Sequence, residues 1–210
     1  PVADAAARVD ISTLWGVSSL PVNPGRTTSE IISALNSGSL DAVVVGGIDP
    51  LDMANSAEVL AALKKSFVVS LEIATSAVTE LADVVLPVAA ITEKSGSFLN
   101  WEGRTRAFDA AVSDSLNRSD LRILSALADV MGESIMLGTV TQAAREIASL
   151  GKWDGARVQL SSVAPTGAKS VSNNEALLTS WRRLLDLGTL QKGEANLAGT
   201  ARKSVAVISP

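Results

Sequence analysis

Apolar residues cluster in three short, valine-rich runs in the first half of the chain, at residues 40–47, 67–71 and 83–88. The runs do not alternate with polar residues, which is typical of strands that are covered on both faces. Between and before them, apolar residues recur at helical spacing, in residues 27–37, 54–65 and 75–81. Strands that alternate with helices predict an α/β fold with an open, mostly parallel sheet and helices on both faces.

Helical patterns return in the second half of the chain. Ser119 can cap a helix that ends at Gly132, and Thr139 or Thr141 can start another that ends at Gly151. These helices would complete an α/β domain over residues 1–150.

The composition changes after that domain. Residues 151–173 are rich in Gly, Ser, Pro and Thr, as linkers are. Asn173 or Asn174 can then cap a helix that continues to Gly188, and residues 204–208 have the pattern of a strand cut off in mid-domain. We therefore expect a linker over 151–173 and the truncated start of a C-terminal domain over 174–210, in a chain that is a piece of a longer protein.

The amino-acid composition excludes several kinds of metal site and catalytic site. The 210 residues include no Cys and no His. Such a chain cannot build the usual zinc sites, ligate an iron–sulfur cluster through thiolates, or form a Ser-His-Asp or Cys-His pair. Carboxylate, Lys/Arg, Ser/Thr and backbone chemistry remain.

Charge is distributed unevenly along the chain. Residues 151–210 hold 8 Lys/Arg and 4 Asp/Glu, out of totals of 18 and 22. An acidic body with a mildly basic tail argues against nucleic acid as a partner, because binding to phosphates needs clustered Lys and Arg. No apolar run approaches the roughly 18 residues of a membrane-spanning helix.

The carboxyl ends of the predicted strands would bring three segments to one rim of the sheet, residues 46–50, 72–76 and 88–94. Ligands of open α/β sheets bind at that rim. There, Gly46, Gly47 and Asp49 follow a strand, and a glycine-rich turn can bring N–H groups close to a phosphate or a nucleotide. Such residues also make ordinary structural turns, so both interpretations stay open.

A long connection over residues 92–117 is expected to be a functional or packed loop. It carries two acids and two guanidinium groups: Glu93, Glu102, Arg104 and Arg106. These groups could perform acid–base chemistry or orient a polar ligand. They could equally form a salt-bridged clamp that pins the loop to the sheet, and the charge pattern alone does not separate the two.

One stretch carries a more specific signal. Residues 79–90 have the sequence TELADVVLPVAA, and they are followed by Glu93, Gly96, Asn100 and the triplet Glu102-Gly103-Arg104. This arrangement resembles the molybdopterin oxidoreductase superfamily, which has a glycine turn after one strand, an ADVVLP strand, and a loop with Glu, Gly, Asn and EGR. The resemblance covers residues 38–135.

Within that superfamily, residues 96–104 (GSFLNWEGR) are most similar to the large iron–sulfur subunits of bacterial NADH:quinone oxidoreductase (respiratory complex I). The C-terminal sequence of the chain resembles that of the actinobacterial subunits. The chain departs from active members of the superfamily at Glu72, where Asp is usual. This implies a vestigial pterin-dinucleotide site, with no catalytic residue and no metal ligand, at Gly46, Gly47, Asp49, Glu72 and Asn100.

The same resemblance implies a structural role in electron transfer from NADH to quinone. No cofactor is expected in this segment, and [4Fe–4S] and [2Fe–2S] clusters are expected in an N-terminal region outside the sequence. The implied partners are other peripheral-arm subunits of complex I. The implied location is the cytoplasmic face of the inner (plasma) membrane, as a peripheral subunit without direct insertion.

Two other functions are compatible with the sequence. The chain could be part of an active molybdopterin-dependent oxidoreductase such as a formate dehydrogenase, in which the same five residues would line the cofactor. It could also be a free-standing α/β binding module.

Overall fold

The computed structural model describes residues 3–152, 154–155, 167, 170–179, 188 and 191–207. The chain divides into two compact units, Pro1–Gly155 and Ala156–Pro210. The helices of the first unit are α1 (Ala5–Trp15), α2 (Thr28–Ser37), α3 (Ser56–Lys65), α4 (Asp120–Val130) and α5 (Val140–Ser149). Its strands are β1 (Ala42–Gly46), β2 (Phe67–Glu72), β3 (Val84–Pro87), β4 (Gly96–Leu99) and β5 (Thr105–Phe108). The second unit contains α6 (Ala195–Ala198).

Three strands form a parallel sheet in the order β1-β2-β3. Val43 lies opposite Val68, and Val69 lies opposite Val84. The predicted open parallel sheet is therefore confirmed, with β2 as its central strand.

Helices cover both faces of this sheet, as predicted. On one face, α2 and α3 pack against β1 and β2 in a single apolar cluster that includes Ile32, Leu35, Val45, Val59, Leu63 and Val68. On the other face, Ile123 of α4 packs with Leu71 and Val88. Because successive side chains of a strand point to opposite faces, Val68 and Leu71 contribute to different clusters.

Most predicted helix ends are confirmed by their caps. Thr27 and Glu30 form a capping box at the start of α2, in which the Thr27 N–H donates to Glu30 Oε2 at 2.6 Å. Ser119 caps α4, and Thr139 caps α5. Each side-chain oxygen satisfies a backbone N–H that has no partner inside its helix.

The helix predicted over residues 75–81 is wrong, because the structure has turns there. The Ser76 N–H donates to Thr79 Oγ1 at 2.8 Å, and Thr79 Oγ1 donates to the Ser76 carbonyl at 2.9 Å. Hydroxyl groups that bond to the nearby backbone compete with helix formation. Val78 is nevertheless fully buried in the cluster below the sheet.

The connection over residues 92–117 contains an antiparallel hairpin that the sequence did not indicate. β4 pairs with β5, and the Phe98 and Phe108 rings stack with centroids 4.9 Å apart. Three of the four β4 residues are exposed, so the hairpin lacks the apolar pattern by which strands are recognised.

Two predictions for the tail are also wrong within the described residues. Residues 173–179, where a helix was expected, form a turn followed by irregular backbone. Residues 204–207, where a strand was expected, have no regular structure. The remainders of those two segments, and most of the predicted linker, lie outside the described residues.

Asp83 joins the central strand to the start of β3. Its Oδ2 accepts a hydrogen bond from the Val68 N–H at 2.8 Å, and its own N–H donates to the Val68 carbonyl at 2.9 Å. Val68 is completely buried. The Asp83 carboxylate thus satisfies a backbone donor just before β3 begins.

Asp83→Ala should lower the free energy of unfolding by about 1–3 kcal/mol, because it leaves the Val68 N–H buried without an acceptor. Asp83→Asn keeps an acceptor oxygen and should lose less. Urea unfolding of both variants and the wild type measures the difference. Losses below about 0.5 kcal/mol for both variants would contradict this role.

Candidate functional site

The carboxyl ends of the three parallel strands lie side by side, as predicted. Gly46 lies opposite Leu71, and Glu72 lies opposite Pro87. The Val88 N–H continues the pairing by donating to the Glu72 carbonyl at 3.1 Å. The glycine turn after β1 and the Glu72 side chain therefore share one rim of the sheet.

The turn after β1 is shaped by its own backbone requirements. Gly47 has a φ of +63°, a conformation that favours glycine, and its N–H donates to the Leu71 carbonyl at 3.3 Å. The Asp49 Oδ1 accepts a hydrogen bond from the Leu51 N–H at 2.9 Å and starts a short 3₁₀ turn. These contacts account for Gly47 and Asp49 without a ligand.

Glu72 lies in an unfavourable environment for a negative charge. Partial burial raises the pKa of the Glu72 carboxyl, and the charge of Asp49 raises it further. Hydrogen bonds from the N–H groups of Ile48, Gly47 and Ile73 act in the opposite direction. The Glu72 carboxylate thus lies against the N–H groups of the glycine turn.

Asn100, the remaining predicted site residue, lies in the turn of the β4–β5 hairpin. Its Oδ1 accepts hydrogen bonds from the Glu102 N–H at 3.0 Å and from the Arg104 N–H at 2.8 Å. The side chain therefore shapes its own turn. Four of the five predicted site residues meet at the rim, and Asn100 is the one engaged elsewhere.

Three of the charged residues, Glu102, Arg104 and Arg106, do not form a salt-bridged clamp, which was one of the two alternatives left open by the sequence. Arg104 pairs with Glu102 at 3.1 Å between Nε and Oε2, and both side chains are exposed, at 66% and 39%. Exposed pairs of this kind contribute little stability. Arg106 is exposed on β5, so neither arginine pins the connection to the sheet.

Glu93 is the residue that anchors the long connection. Its Oε2 accepts a hydrogen bond from the Ala90 N–H at 2.7 Å, and its Oε1 accepts one from the Ser115 Oγ at 2.8 Å. The Asn117 Nδ2 donates to both carboxylate oxygens at 3.2 and 3.3 Å. These hydrogen bonds, with that of Ala90 the largest cause, lower the pKa of Glu93 below its ordinary value.

A second anchor lies beside the first. Lys94 Nζ is 2.6 Å from Asp120 Oδ2, which ties the connection to the first turn of α4. The partners Ser115, Asn117 and Asp120 were not identified from sequence. They lie more than twenty residues from the groups they bind, and no local pattern marks such contacts.

An apolar cavity of about 150 Å³ lies among α2, β1 and α3. Its lining is apolar apart from Thr28 and includes Ile31, Val43, Val44 and Leu63. A cavity without charged side chains has no group for acid–base or nucleophilic chemistry.

The described residues show neither a metal-ion cluster nor a membrane-spanning helix. They contain no cluster of three or more carboxylates that could hold a metal ion. No helix in the described part of the chain has the length and hydropathy needed to cross a bilayer.

Comparisons with known proteins give a consistent result. The G subunit of NADH-quinone oxidoreductase from Mycobacterium bovis is 48% identical over the whole chain, and that from Streptomyces coelicolor is 43% identical over the whole chain. The probable oxidoreductase YjgC of Bacillus subtilis is 36% identical, over 62% of the chain and 14% of its own length. The chain spans 27% of the length of the Mycobacterium relative and 26% of the Streptomyces relative.

The model of the molybdopterin oxidoreductase family matches residues 3–130, which is more than half of the chain. That range contains the parallel sheet, the glycine turn with Glu72 and the hairpin. The chain therefore belongs to the molybdopterin oxidoreductase family.

Proposed function

We propose that this chain is a structural, non-catalytic segment of the large iron–sulfur subunit, the G subunit, of an NADH:quinone oxidoreductase (respiratory complex I). The observation that carries this proposal is the 48% identity to such a subunit over the whole chain. The similarity to the Mycobacterium and Streptomyces relatives extends beyond residue 130, where the family model ends, whereas that to YjgC covers 62% of the chain. The full-length match favours the G subunit over other members of the family.

The absence of Cys and His from this chain supports a role without a redox centre. Iron–sulfur clusters need thiolate or imidazole ligands. The [4Fe–4S] and [2Fe–2S] clusters of the complete subunit would be held in its N-terminal region. The polypeptide would then work with other peripheral-arm subunits at the cytoplasmic face of the plasma membrane, in electron transfer from NADH to quinone.

The rim does not fit a pterin dinucleotide. The N–H groups of Ile48 and Gly47 in the glycine turn act on the Glu72 carboxylate and lower its pKa, and they are the donors that a phosphate would use. The carboxylate of Asp49 adds a second negative charge next to Glu72. A pyrophosphate placed here would meet the carboxyl groups of Asp49 and Glu72, so Gly46, Gly47, Asp49 and Glu72 are best explained as a vestigial site.

The anchors around Glu93 suggest what the segment does instead. Electron transfer depends on fixed distances between redox centres, so the domains that carry them need a rigid support. Glu93 and the Lys94–Asp120 pair hold the long connection to the neighbouring turns and to α4. We infer that the fold has been retained as such a support.

The full-length polypeptide should contain iron but neither molybdenum nor guanine nucleotide. Elemental analysis of the purified protein, with nucleotide chromatography after denaturation, measures all three. A molybdenum enzyme purified from the same cells is the control that the cofactor is being made. Stoichiometric molybdenum and nucleotide would overturn the cofactor-free role and support the formate dehydrogenase-type alternative.

Glu72→Gln should be at least as stable as the wild type at pH 7. The raised folded-state pKa of Glu72 means that folding favours its protonated form, so wild-type stability falls as pH rises through that pKa. The neutral amide does not titrate. Urea unfolding should show the advantage of the variant at pH 7 and its disappearance below the ordinary glutamate pKa of about 4.3.

The same variant also addresses the alternative function. If Glu72 lined a bound cofactor, Glu72→Gln would change the molybdenum or nucleotide content. A variant that is less stable at pH 7, or that alters cofactor content, would contradict the interpretation of a vestigial rim.

Glu93→Ala should lower the melting temperature at neutral pH, since it leaves the Ala90 N–H and two side-chain donors without their acceptor. The lowered pKa of Glu93 contributes stability that is present above the ordinary glutamate pKa and is lost as pH falls through the folded-state value. The difference between wild type and variant should therefore shrink on acidification.

Glu102→Ala is the matched control, because the carboxylate of Glu102 bonds within its own turn, to the exposed Arg104 at 3.1 Å and to the Asn100 Nδ2 at 3.5 Å. Thermal unfolding between neutral and acid pH compares the three proteins. Equal melting temperatures for Glu93→Ala and Glu102→Ala would show that Glu93 is not an anchor.

A further inference from the structure

The outer edge of β1 has no partner in the described part of the chain. In the order β1-β2-β3, β1 lies at one side of the sheet. The Phe67 N–H donates to the Asp41 carbonyl at 2.8 Å, and the Gly47 N–H donates to the Leu71 carbonyl at 3.3 Å. Along a strand, the N–H groups of every second residue point to the same neighbouring strand. These two hydrogen bonds therefore determine which way each N–H group of β1 points.

The N–H groups of Val43 and Val45 therefore face β2, as that of Gly47 does. Those of Ala42, Val44 and Gly46 face outwards, away from the sheet. No described residue pairs with these three backbone donors of the outer edge, which are oriented to bond to a further strand.

This edge lacks the features that protect natural edges. The strand sequence is AVVVG, without lysine, proline or an inward-pointing charge. Val44 is 61% exposed. Edges that remain open in the native protein are normally blunted by such features, so the composition of β1 is that of an interior strand.

The apolar cavity is located where a neighbouring strand would place side chains. Its lining includes Val43, Val44 and Val45 in succession, together with Ile31 of α2. Successive side chains point to opposite faces, so a cavity that all three residues line extends to the edge of the strand. A volume of about 150 Å³ accommodates an aliphatic side chain.

The positions of α2 and α3 indicate where the missing strand belongs in the chain. Both helices pack in one cluster on the same face of the sheet. Parallel crossovers are right-handed in nearly all proteins. The crossover through α3 leads from β1 to β2. A crossover through α2 on the same face must advance across the sheet in the same direction, so the strand that precedes α2 lies beside β1, on the side away from β2.

No strand is present between α1 and α2, where residues 16–27 form turns and irregular backbone. We propose that, in the full-length polypeptide, the free edge of β1 pairs with an apolar, parallel strand from the region N-terminal to α1. The Mycobacterium relative is almost four times as long as this chain, which spans 27% of it. A strand of the same polypeptide is therefore available, and it is the occupant that the crossover rule specifies.

Residue-resolved hydrogen exchange on the full-length polypeptide, purified alone and as a monomer, tests the pairing. The N–H groups of Val44 and Gly46 should exchange about a hundredfold or more slowly than an unprotected peptide, as expected for a paired strand. Those of Val43 and Val45, which bond to β2, are the internal reference. Rapid exchange at Val44 and Gly46 beside slow exchange at the reference positions would overturn the proposal.

The same measurement identifies the occupant. Protection that appears only when the protein dimerises would assign the edge to a second copy, and protection that appears only in the assembled complex would assign it to another polypeptide. Either result overturns the intramolecular pairing. Neither depends on molybdenum or nucleotide content, so this test can fail while the cofactor-free role stands.

A pair of proline variants gives an independent readout in the same full-length polypeptide. Val43→Pro removes an N–H that bonds to β2, and Val44→Pro removes one that faces outwards. A free edge tolerates the second change, so comparable losses of melting temperature for both variants are expected only if the edge is paired. Near wild-type stability for Val44→Pro would contradict the proposal.

Discussion

The two-sided hydrogen bonding of β2 is the interaction on which the rest of the structure depends. Its backbone pairs with β1 along one edge and with β3 along the other. Val68 and Leu71 bury their side chains on opposite faces of the sheet. A strand buried in this way must satisfy every N–H and C=O from its neighbours, which explains why the Asp83 carboxylate completes the pairing just ahead of β3.

This constraint also sets the geometry of the rim. Parallel pairing in register brings the end of β1, with its glycine turn, next to the end of β2. The same arrangement would hold a nucleotide phosphate in an open α/β sheet. Here the end of β2 carries Glu72 beside Asp49, and the site places carboxylates where an anionic ligand needs donors. Under the proposed vestigial role, a change of charge at the rim separates the fold from cofactor binding without a change of architecture.

The sequence predicted those parts of the fold that depend on local patterns. Residues 40–47 and 67–71 are valine-rich runs without polar alternation, and capping residues such as Thr27 and Ser119 mark helix starts directly. Residues 75–81 have an apolar helical pattern, but their hydroxyl groups bond to the backbone and prevent the helix. The hairpin and the partners of Glu93 could not be predicted, because exposed strands carry no apolar pattern and Asn117 lies 24 residues from Glu93. At the rim, sequence identified the residues that meet there but not the burial that opposes the charge of Glu72.

The order of the elements has a consequence for biosynthesis. The sheet and the helices below it arise from consecutive segments between α2 and β3, so they can assemble as soon as that stretch leaves the ribosome. An open valine-rich edge on a nascent chain is a hazard, since it can recruit strands from neighbouring ribosomes on the same message. A partner strand encoded upstream would leave the ribosome before β1 does. The order of synthesis would then protect the growing polypeptide from aggregation.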